Sequence, residues 1–409
     1  MSGDFLREAK QYESEIIAHR RWLHAHGETG FALRQTLEYV KTQLRQMGYD
    51  PCDCGRSGVY ADVGSGEDGV FLLRADMDAL PVREEAEVAF ACKNGNMHAC
   101  GHDMHTAMLL GAARLLKAHE QEIKGTVRLM FQPGEETLEG AKDMIGAGVL
   151  EIPGLQGALM IHVMTGVPFP AGTVVVSSAG VSAPAADFFT LRVQGKGCHG
   201  SMPQQGIDAL HTAAQILIAL QEIPAREMGI GDDAVLTIGS MQAGTAANVI
   251  ADTAVMKGTL RAFDEELRLR IRERICEVAQ GIAAAFRATV EVTFDSGCPT
   301  LVNDGNMSDF AAGFTAELLG EKNVFTTRGL SGGKPSRSGG SEDFAYVSQL
   351  VPSVMLALAA GEPEKGYVYP LHHPKAAFDE SVLAAGSAVY AWNALRYLEQ
   401  NALHRLETV

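Results

Sequence analysis

No stretch of this 409-residue chain approaches the ~20 consecutive apolar residues that a membrane-spanning helix needs. Met1 to Lys10 mixes acids and bases and has no apolar core of the kind a secretory signal carries. Both absences predict a cytoplasmic protein. Basic residues are in deficit: 34 Lys and Arg stand against 50 Asp and Glu, a formal net charge of -16 at pH 7. That balance gives no electrostatic reason to hold a phosphate backbone or an anionic bilayer, so neither nucleic acid nor membrane is expected as a partner. A disulfide framework is missing as well. The seven cysteines, Cys52, Cys54, Cys92, Cys100, Cys198, Cys276 and Cys298, are odd in number and scattered, which predicts reduced thiols. Cys52-Asp53-Cys54 has no second pair to complete a metal site and is expected to be a loop. There is no internal repeat and no low-complexity segment; the Gly- and Ser-rich stretch Gly329 to Gly340 is expected to be a mobile or site-forming loop.

What remains is an ordinary globular composition, 46% apolar and 21% charged, in a chain too long for one hydrophobic core. Two domains are the starting expectation. Leu33, Leu37, Val40, Leu44 and Met47 follow 4-3-4-3 spacing and are followed by Gly48, the pattern of an amphipathic helix with a C-terminal glycine cap. Val70 to Arg74, Thr126 to Phe131 and Ala158 to Ile161 are short apolar runs, and a helical stretch from Thr106 to about His119 separates the first two. Buried strands alternating with helices predict an α/β sheet covered on both faces. The rhythm changes after about Ala185. A strand at Phe188 to Gln194, a helix at Asp208 to Glu222, strands at Ala234 to Met241 and Thr253 to Phe263, a helix at Glu265 to Phe286 and a strand at Thr289 to Phe294 give the order β-α-β-β-α-β of a ferredoxin-like unit. The predicted division is a discontinuous α/β domain, residues 1–185 and 299–409, interrupted by an inserted domain, residues 186–298.

Polar residues gather where the predicted strands of the first domain end, the side of an open α/β sheet that usually binds ligands. Asp76-Met77-Asp78, His98 to His105, Gly134-Glu135-Glu136 and His162 are four such clusters, and Leu371-His372-His373-Pro374 is a fifth, far downstream. Thiolate and imidazole donors suit zinc and its first-row neighbours, and a carboxylate widens the choice to manganese or cobalt. Cys100 and His102 are the prime candidates, while His98 and His105 stay open between ligation and packing. Of two adjacent glutamates in a metal hydrolase, one can bind metal while the other takes the proton of an attacking water.

These stretches, together with Arg20-Arg21-Trp22-Leu23-His24, Ala75 to Pro81, Phe131 to Glu136 and Gly340-Ser341-Glu342-Asp343-Phe344, resemble the amidohydrolase branch of the aminoacylase and carboxypeptidase-like metallopeptidases. Hippurate hydrolases, N-acyl-amino-acid amidohydrolases, N-acetyl-diaminopimelate deacetylases and indole-acetyl-amino-acid hydrolases belong to that branch. The resemblance covers nearly the whole chain. It implies two divalent metal ions per subunit, zinc, manganese or cobalt, on Cys100, His102, Glu136, His162 and His372, with His372 preferred to His373 because the family's ligand directly follows the leucine. It further implies Glu135 as general base and Asp78 as the carboxylate that orients a ligand. Asp76 stands where other branches keep a ligand histidine. In the inserted domain, expected to serve as a lid or dimerisation domain, Gly195 to Gly200 matches a loop whose histidine, here His199, holds the substrate carbonyl, commonly in the partner subunit. Asn248 and Arg261 match positions that bind the substrate's polar end. Arg261 is open between a bidentate carboxylate contact and a solvated strand face. The sequence departs from the family pattern where it lacks a proline before Glu28 and has Ala251 in place of a common proline; both departures bear on substrate, not on ligands.

The expected activity is therefore hydrolysis of the amide bond of a small N-acyl amino acid or short peptide-like substrate by a homodimer. Two alternatives are a non-catalytic ligand-binding protein on the same scaffold and a thiol hydrolase with Cys100 as nucleophile, which would survive chelation.

Overall fold

The computed structural model describes residues 2–64, 69–333, 337 and 339–407. They fall into two compact units, Met1–Ser182 with Val302–Ser336 and Asp343–Val409, and Ala183–Leu301 with Arg337–Glu342.

The first unit is built on an eight-stranded sheet ordered Cys52–Cys54, Gly58–Gly64, Thr126–Gln132, Val70–Asp76, Leu155–Met164, Ser353–Ala359, Val174–Val176 and Val324–Thr326. Val70–Asp76 runs parallel to both Thr126–Gln132 and Leu155–Met164, and Ser353–Ala359 runs parallel to Leu155–Met164. Every residue of Val70–Asp76 and of Thr126–Gln132 is buried, because helices His102–Ala118, Arg34–Gln46, Gly305–Leu319 and Leu383–Glu407 pack on the sheet. This is why these strands are nearly continuous apolar runs and do not alternate. Parallel neighbours end on the same side, so Asp76, the turn after Gln132 and His162 are delivered to one edge.

The helix expected from Thr106 begins four residues earlier, at His102. Gly101 adopts φ 88° before it, and a Cβ there would lie 2.4 Å from Val163 Cγ2, so glycine alone permits the turn that places Cys100 and His102 on either side of it. Cys52–Cys54 corrects the expectation of a loop. It pairs antiparallel with Gly58–Gly64 as an edge strand, a hairpin turned by Gly55 at φ 67°, and Cys54 Sγ donates to the Met144 carbonyl. Of the expected Gly329 to Gly340 loop, residues 334–336 and 338 lie outside the described residues; its first residues close the short helix Thr327–Leu330.

The second unit has a four-stranded antiparallel sheet ordered Ala234–Ala243, Thr253–Ala262, Ala185–Gln194, Thr289–Cys298. With helices Ala209–Ala219 and Glu265–Ala285 this is the ferredoxin-like arrangement expected from the element order. Asp208 and Asp264 cap the two helices by accepting from His211 N and Leu267 N. Phe189, Leu191, Val193, Met256 and Leu260 pack with Ile216, Ile271 and Ile275 of the helices, and the opposite sheet face alternates outward to polar side chains.

Candidate metal centre

Strand ends and the Gly101 turn bring six of the expected residues together in the first unit. Cys100 Sγ lies 3.6 Å from His162 Nε2 and 3.2 Å from His372 Nε2. His372 Nε2 is 3.5 Å from Glu136 Oε1. His102 Nε2 is surrounded by carboxylate oxygens, Asp76 at 3.8 Å, Glu135 at 3.8 Å and Glu136 at 3.9 Å. Three overlapping groups result, Cys100–His102–His162, Cys100–Glu136–His372 and His102–Glu135–Glu136, in each of which the donor atoms lie within 4.8 Å of one another.

The ring orientations are set from behind. His102 Nδ1 donates to the Asp78 main-chain carbonyl at 2.8 Å, and His162 Nδ1 donates to the Val163 carbonyl at 2.7 Å, so each ring presents a bare Nε2 lone pair to the cluster. The Asp78 carboxylate accepts the backbone N–H groups of Glu135 and Glu136, at 3.0 and 3.2 Å. It thereby anchors the turn that carries both glutamates. His372 occupies the left-handed region at φ 65°, a conformation that costs a non-glycine residue about 1–2 kcal/mol, and its N–H is tied to the Ala99 carbonyl at 2.9 Å.

Two buried atoms in the cluster have no hydrogen-bond partner, His102 Nε2 and Glu136 Oε1. Burial pushes the Cys100 thiol up and the His162 imidazole down to about 3. Burial also pushes Glu136 up to about 7, opposed by His102 and reinforced by Asp78 and Asp76. A cation reverses this preference for neutral forms, because it binds thiolate, carboxylate and neutral imidazole. The donor set of sulfur, imidazole nitrogen and carboxylate oxygen, with its orphaned atoms, fits a divalent metal.

His105 and Asp76 also approach His102 but are already engaged. His105 Nδ1 donates to Asp76 Oδ1 at 2.6 Å and its Nε2 accepts from Val163 N. Asp76 Oδ2 accepts from Arg74 Nη1 at 2.6 Å. Burial opposes its ionisation, yet His102, His105 and Arg74 hold the Asp76 carboxyl well below the usual carboxylate range. His98 is buried with neither ring nitrogen bonded, and burial pushes it down to about 3.

In the second unit the structure brings His199 and Asn248 together: Val249 pairs with His199, and Gly200 N donates to the Asn248 carbonyl at 2.7 Å. Ser201 N donates to His199 Nδ1 at 3.2 Å, which leaves the ring proton on Nε2. Arg261 is elsewhere. Thr253 pairs with Gln194 while Arg261 pairs with Ala186, so Arg261 lies eight strand residues away, roughly 26 Å at the usual rise. Its guanidinium stacks over Phe188 at 5.0 Å.

Residues that were given no role from sequence also surround the centre. Arg74, fully buried, donates to Gln132 Oε1, Asp76 and Asp343, and Gln132 Nε2 bonds Asp343 in turn. An arginine inside the apolar run Val70 to Ala75 was the available signal, because an arginine there must be paired. On helix Glu13–Ala25, Arg20 and His24 stand one turn apart and both reach Asp103; their spacing of four marks one helix face.

Comparison with known proteins gives one consistent result. Residues 72–394 match the model of peptidase family M20/M25/M40. The chain is 36% identical over 395 residues to the N-acetylcysteine deacetylase of Bacillus subtilis, covering 95% of this chain and 98% of that protein. It is 34% identical over 389 residues to the IAA-amino acid hydrolase ILR1-like 4 of Arabidopsis thaliana, covering 94% and 86%. The crystal structure of a dinuclear metal binding peptidase of the M20 family from Bacillus subtilis superposes with a TM-score of 0.76 at 33% identity, over 95% of this chain and 99% of that one.

Proposed function

This chain belongs to peptidase family M20/M25/M40, and from that premise we propose that it is a metal-dependent amidohydrolase that releases a carboxylic acid and a free amino acid from small N-acyl amino acids. The observation that carries this reading is the convergence of Cys100, His102, Glu136, His162 and His372 around two orphaned buried atoms, with Glu135 beside them. Two divalent cations held by those five side chains, zinc, manganese or cobalt, would supply the Lewis acidity that activates a water and polarises the amide carbonyl.

The chain's own residues do the rest. Glu135 takes the proton of the attacking water and passes it to the leaving nitrogen. Asp78 keeps Glu135 and Glu136 pointed in their separate directions by holding both backbone N–H groups. His199, with its proton on Nε2, donates a hydrogen bond to the carbonyl oxygen as negative charge develops. Asn248 and Arg261 bind the polar end of the substrate, Arg261 through its carboxylate. A thiol mechanism is disfavoured, because burial holds Cys100 in the neutral thiol form in the absence of a cation. A thiolate ligand suits a reducing compartment, the cytoplasm. Among the described residues no helix is long and apolar enough to cross a membrane.

The separation of His199 and Asn248 from Arg261 supports a homodimer. One small substrate cannot touch both ends of the same sheet, so the inserted units of two copies would each contribute one end. Mixing His199→Ala with Glu135→Gln, each inactive alone, is expected to restore activity at roughly a quarter of the sites if subunits exchange between two-fold dimers. A fully active monomer in sedimentation excludes the trans role. The reaction itself is tested by product analysis of metal-loaded protein on N-acetyl, N-benzoyl and indole-acetyl amino acids, before and after chelation. Release of free amino acid that is lost on chelation and regained with metal is expected; turnover that survives metal removal overturns the reading.

A further inference from the structure

Cys100 lies at the end of a segment, residues 77–101, that contains no helix or strand of its own among the described residues, and His102 opens the helix that follows. Its course is fixed by scattered ties: Leu80 and Met97 exchange backbone hydrogen bonds, Ala79 N donates to the Glu28 carbonyl, and Asn94 and Asn96 donate to the Gly27 carbonyl. One buried imidazole joins a carboxylate inside the segment to one just beyond its end. His24 Nε2 bonds Glu84 Oε1 at 2.9 Å and His24 Nδ1 bonds Asp103 Oδ2 at 2.9 Å. The side chains are 2%, 2% and 0% exposed for His24, Glu84 and Asp103. With a carboxylate on each nitrogen, both ring nitrogens donate, which only the imidazolium form can do. Burial opposes that charge, but Asp103 and Glu84 raise the His24 pKa above its ordinary value.

The ties extend outward on both sides. Glu84 Oε2 accepts from Cys92 N at 2.8 Å. Asp103 Oδ2 also accepts from Arg20 Nε at 2.8 Å, and Arg20 Nη1 reaches Glu380 at 3.1 Å. Glu85 N donates to the Pro374 carbonyl at 2.8 Å and His372 N to the Ala99 carbonyl at 2.9 Å, so the same segment is sewn to the loop that brings in His372.

We propose that His24 is a positioning residue of the metal centre, a two-ended ionic cross-link between Glu84 and Asp103 that holds the stretch carrying Cys100 and His102 in its ligating shape. The proposal rests on the metal-centre reading above. A glutamine at this position can face one carboxylate but cannot donate in two opposed directions across an aromatic ring. Glu84→Gln removes the charge at the far end while leaving the His24 to Asp103 bond in place.

The test uses the full-length chain in two measurements. The first is hydrogen–deuterium exchange after chelation, which needs no metal. His24→Gln is expected to speed exchange across residues 84–103 and to leave the sheet strands unchanged, with Glu84→Gln acting in the same direction. The second is zinc affinity by chelator competition, expected to fall 10- to 100-fold in His24→Gln, the range seen when residues supporting metal ligands are removed, with kcat at saturating zinc retained. Unchanged exchange in residues 84–103 for both variants overturns the proposal, as does exchange that rises uniformly over the whole first unit. If His24→Gln does not fold, Glu84→Gln decides by the same two readouts. A wild-type protein that binds none of zinc, manganese and cobalt stoichiometrically fails the metal reading instead, and the exchange measurement still decides the cross-link.

Discussion

Two buried polar clusters adjoin within the first unit and differ in how their atoms are satisfied. Around Arg74, the guanidinium, Gln132, Asp76 and Asp343 bond one another at 2.6 to 2.8 Å. Around Cys100, His102 Nε2 and Glu136 Oε1 are buried without a hydrogen-bond partner, Glu136 Oε1 meeting His372 Nε2 only at 3.5 Å, although their rings and backbones are held from behind. An unsatisfied buried polar atom costs about 1–3 kcal/mol, and where two of them meet among sulfur, imidazole and carboxylate donors a divalent cation would complete both. The first cluster is scaffold and the second is a socket. The distinction predicts that substitutions in the socket remove function while sparing the fold, and that substitutions in the scaffold do the reverse.

The largest expected effect lies in the socket. Glu135→Gln keeps shape and polarity but cannot accept a proton, so turnover is expected to fall by about 10²- to 10⁴-fold with metal content intact. Glu136→Gln is expected to lose metal, because a neutral amide oxygen is a poor ligand for a divalent cation. Measuring kcat and metal stoichiometry on both separates base from ligand. Exchanged phenotypes mean the pair is assigned backwards.

Next comes the scaffold. Arg74→Met leaves the Asp76 and Asp343 carboxylates buried without their cation and is expected to cost about 3–5 kcal/mol of stability, read as a lowered denaturant midpoint after chelation. Glu136→Gln in the same experiment is expected to match or exceed the wild-type midpoint, since burial already drives that carboxyl toward its neutral form. Equal losses for the two variants would erase the contrast between the clusters.

The smallest effect sharpens the boundary. Asp78 belongs to both roles, because its carboxylate holds the backbones of the two glutamates and lies 3.6 Å from His102 Nδ1. Asp78→Asn turns one acceptor into a donor opposite a backbone N–H. Metal affinity is expected to drop about 10- to 100-fold, and an affinity equal to wild type would move Asp78 out of the supporting shell.

Much of this molecule follows from residues close together in the chain. Helix Arg34–Gln46 was legible from its apolar spacing and Gly48, and the ferredoxin-like unit from the order and length of its elements, because amphipathic period and caps depend on neighbours within a turn or two. The short stretches holding Cys100 and His102, and Glu135 and Glu136, were legible for the same reason. Tertiary structure alone decided how these pieces face one another. It brings His372 to Cys100 across 272 positions, sets the tautomers of His102 and His199 through hydrogen bonds to Asp78 and Ser201, and places Arg261 at the far end of the sheet from His199. It also turns Arg74 and His24, inconspicuous in a strand and a helix, into the centres of buried ionic networks. Periodicity names the face a side chain occupies, but its partner is chosen by strand register and loop closure, which bring together atoms that no local pattern links.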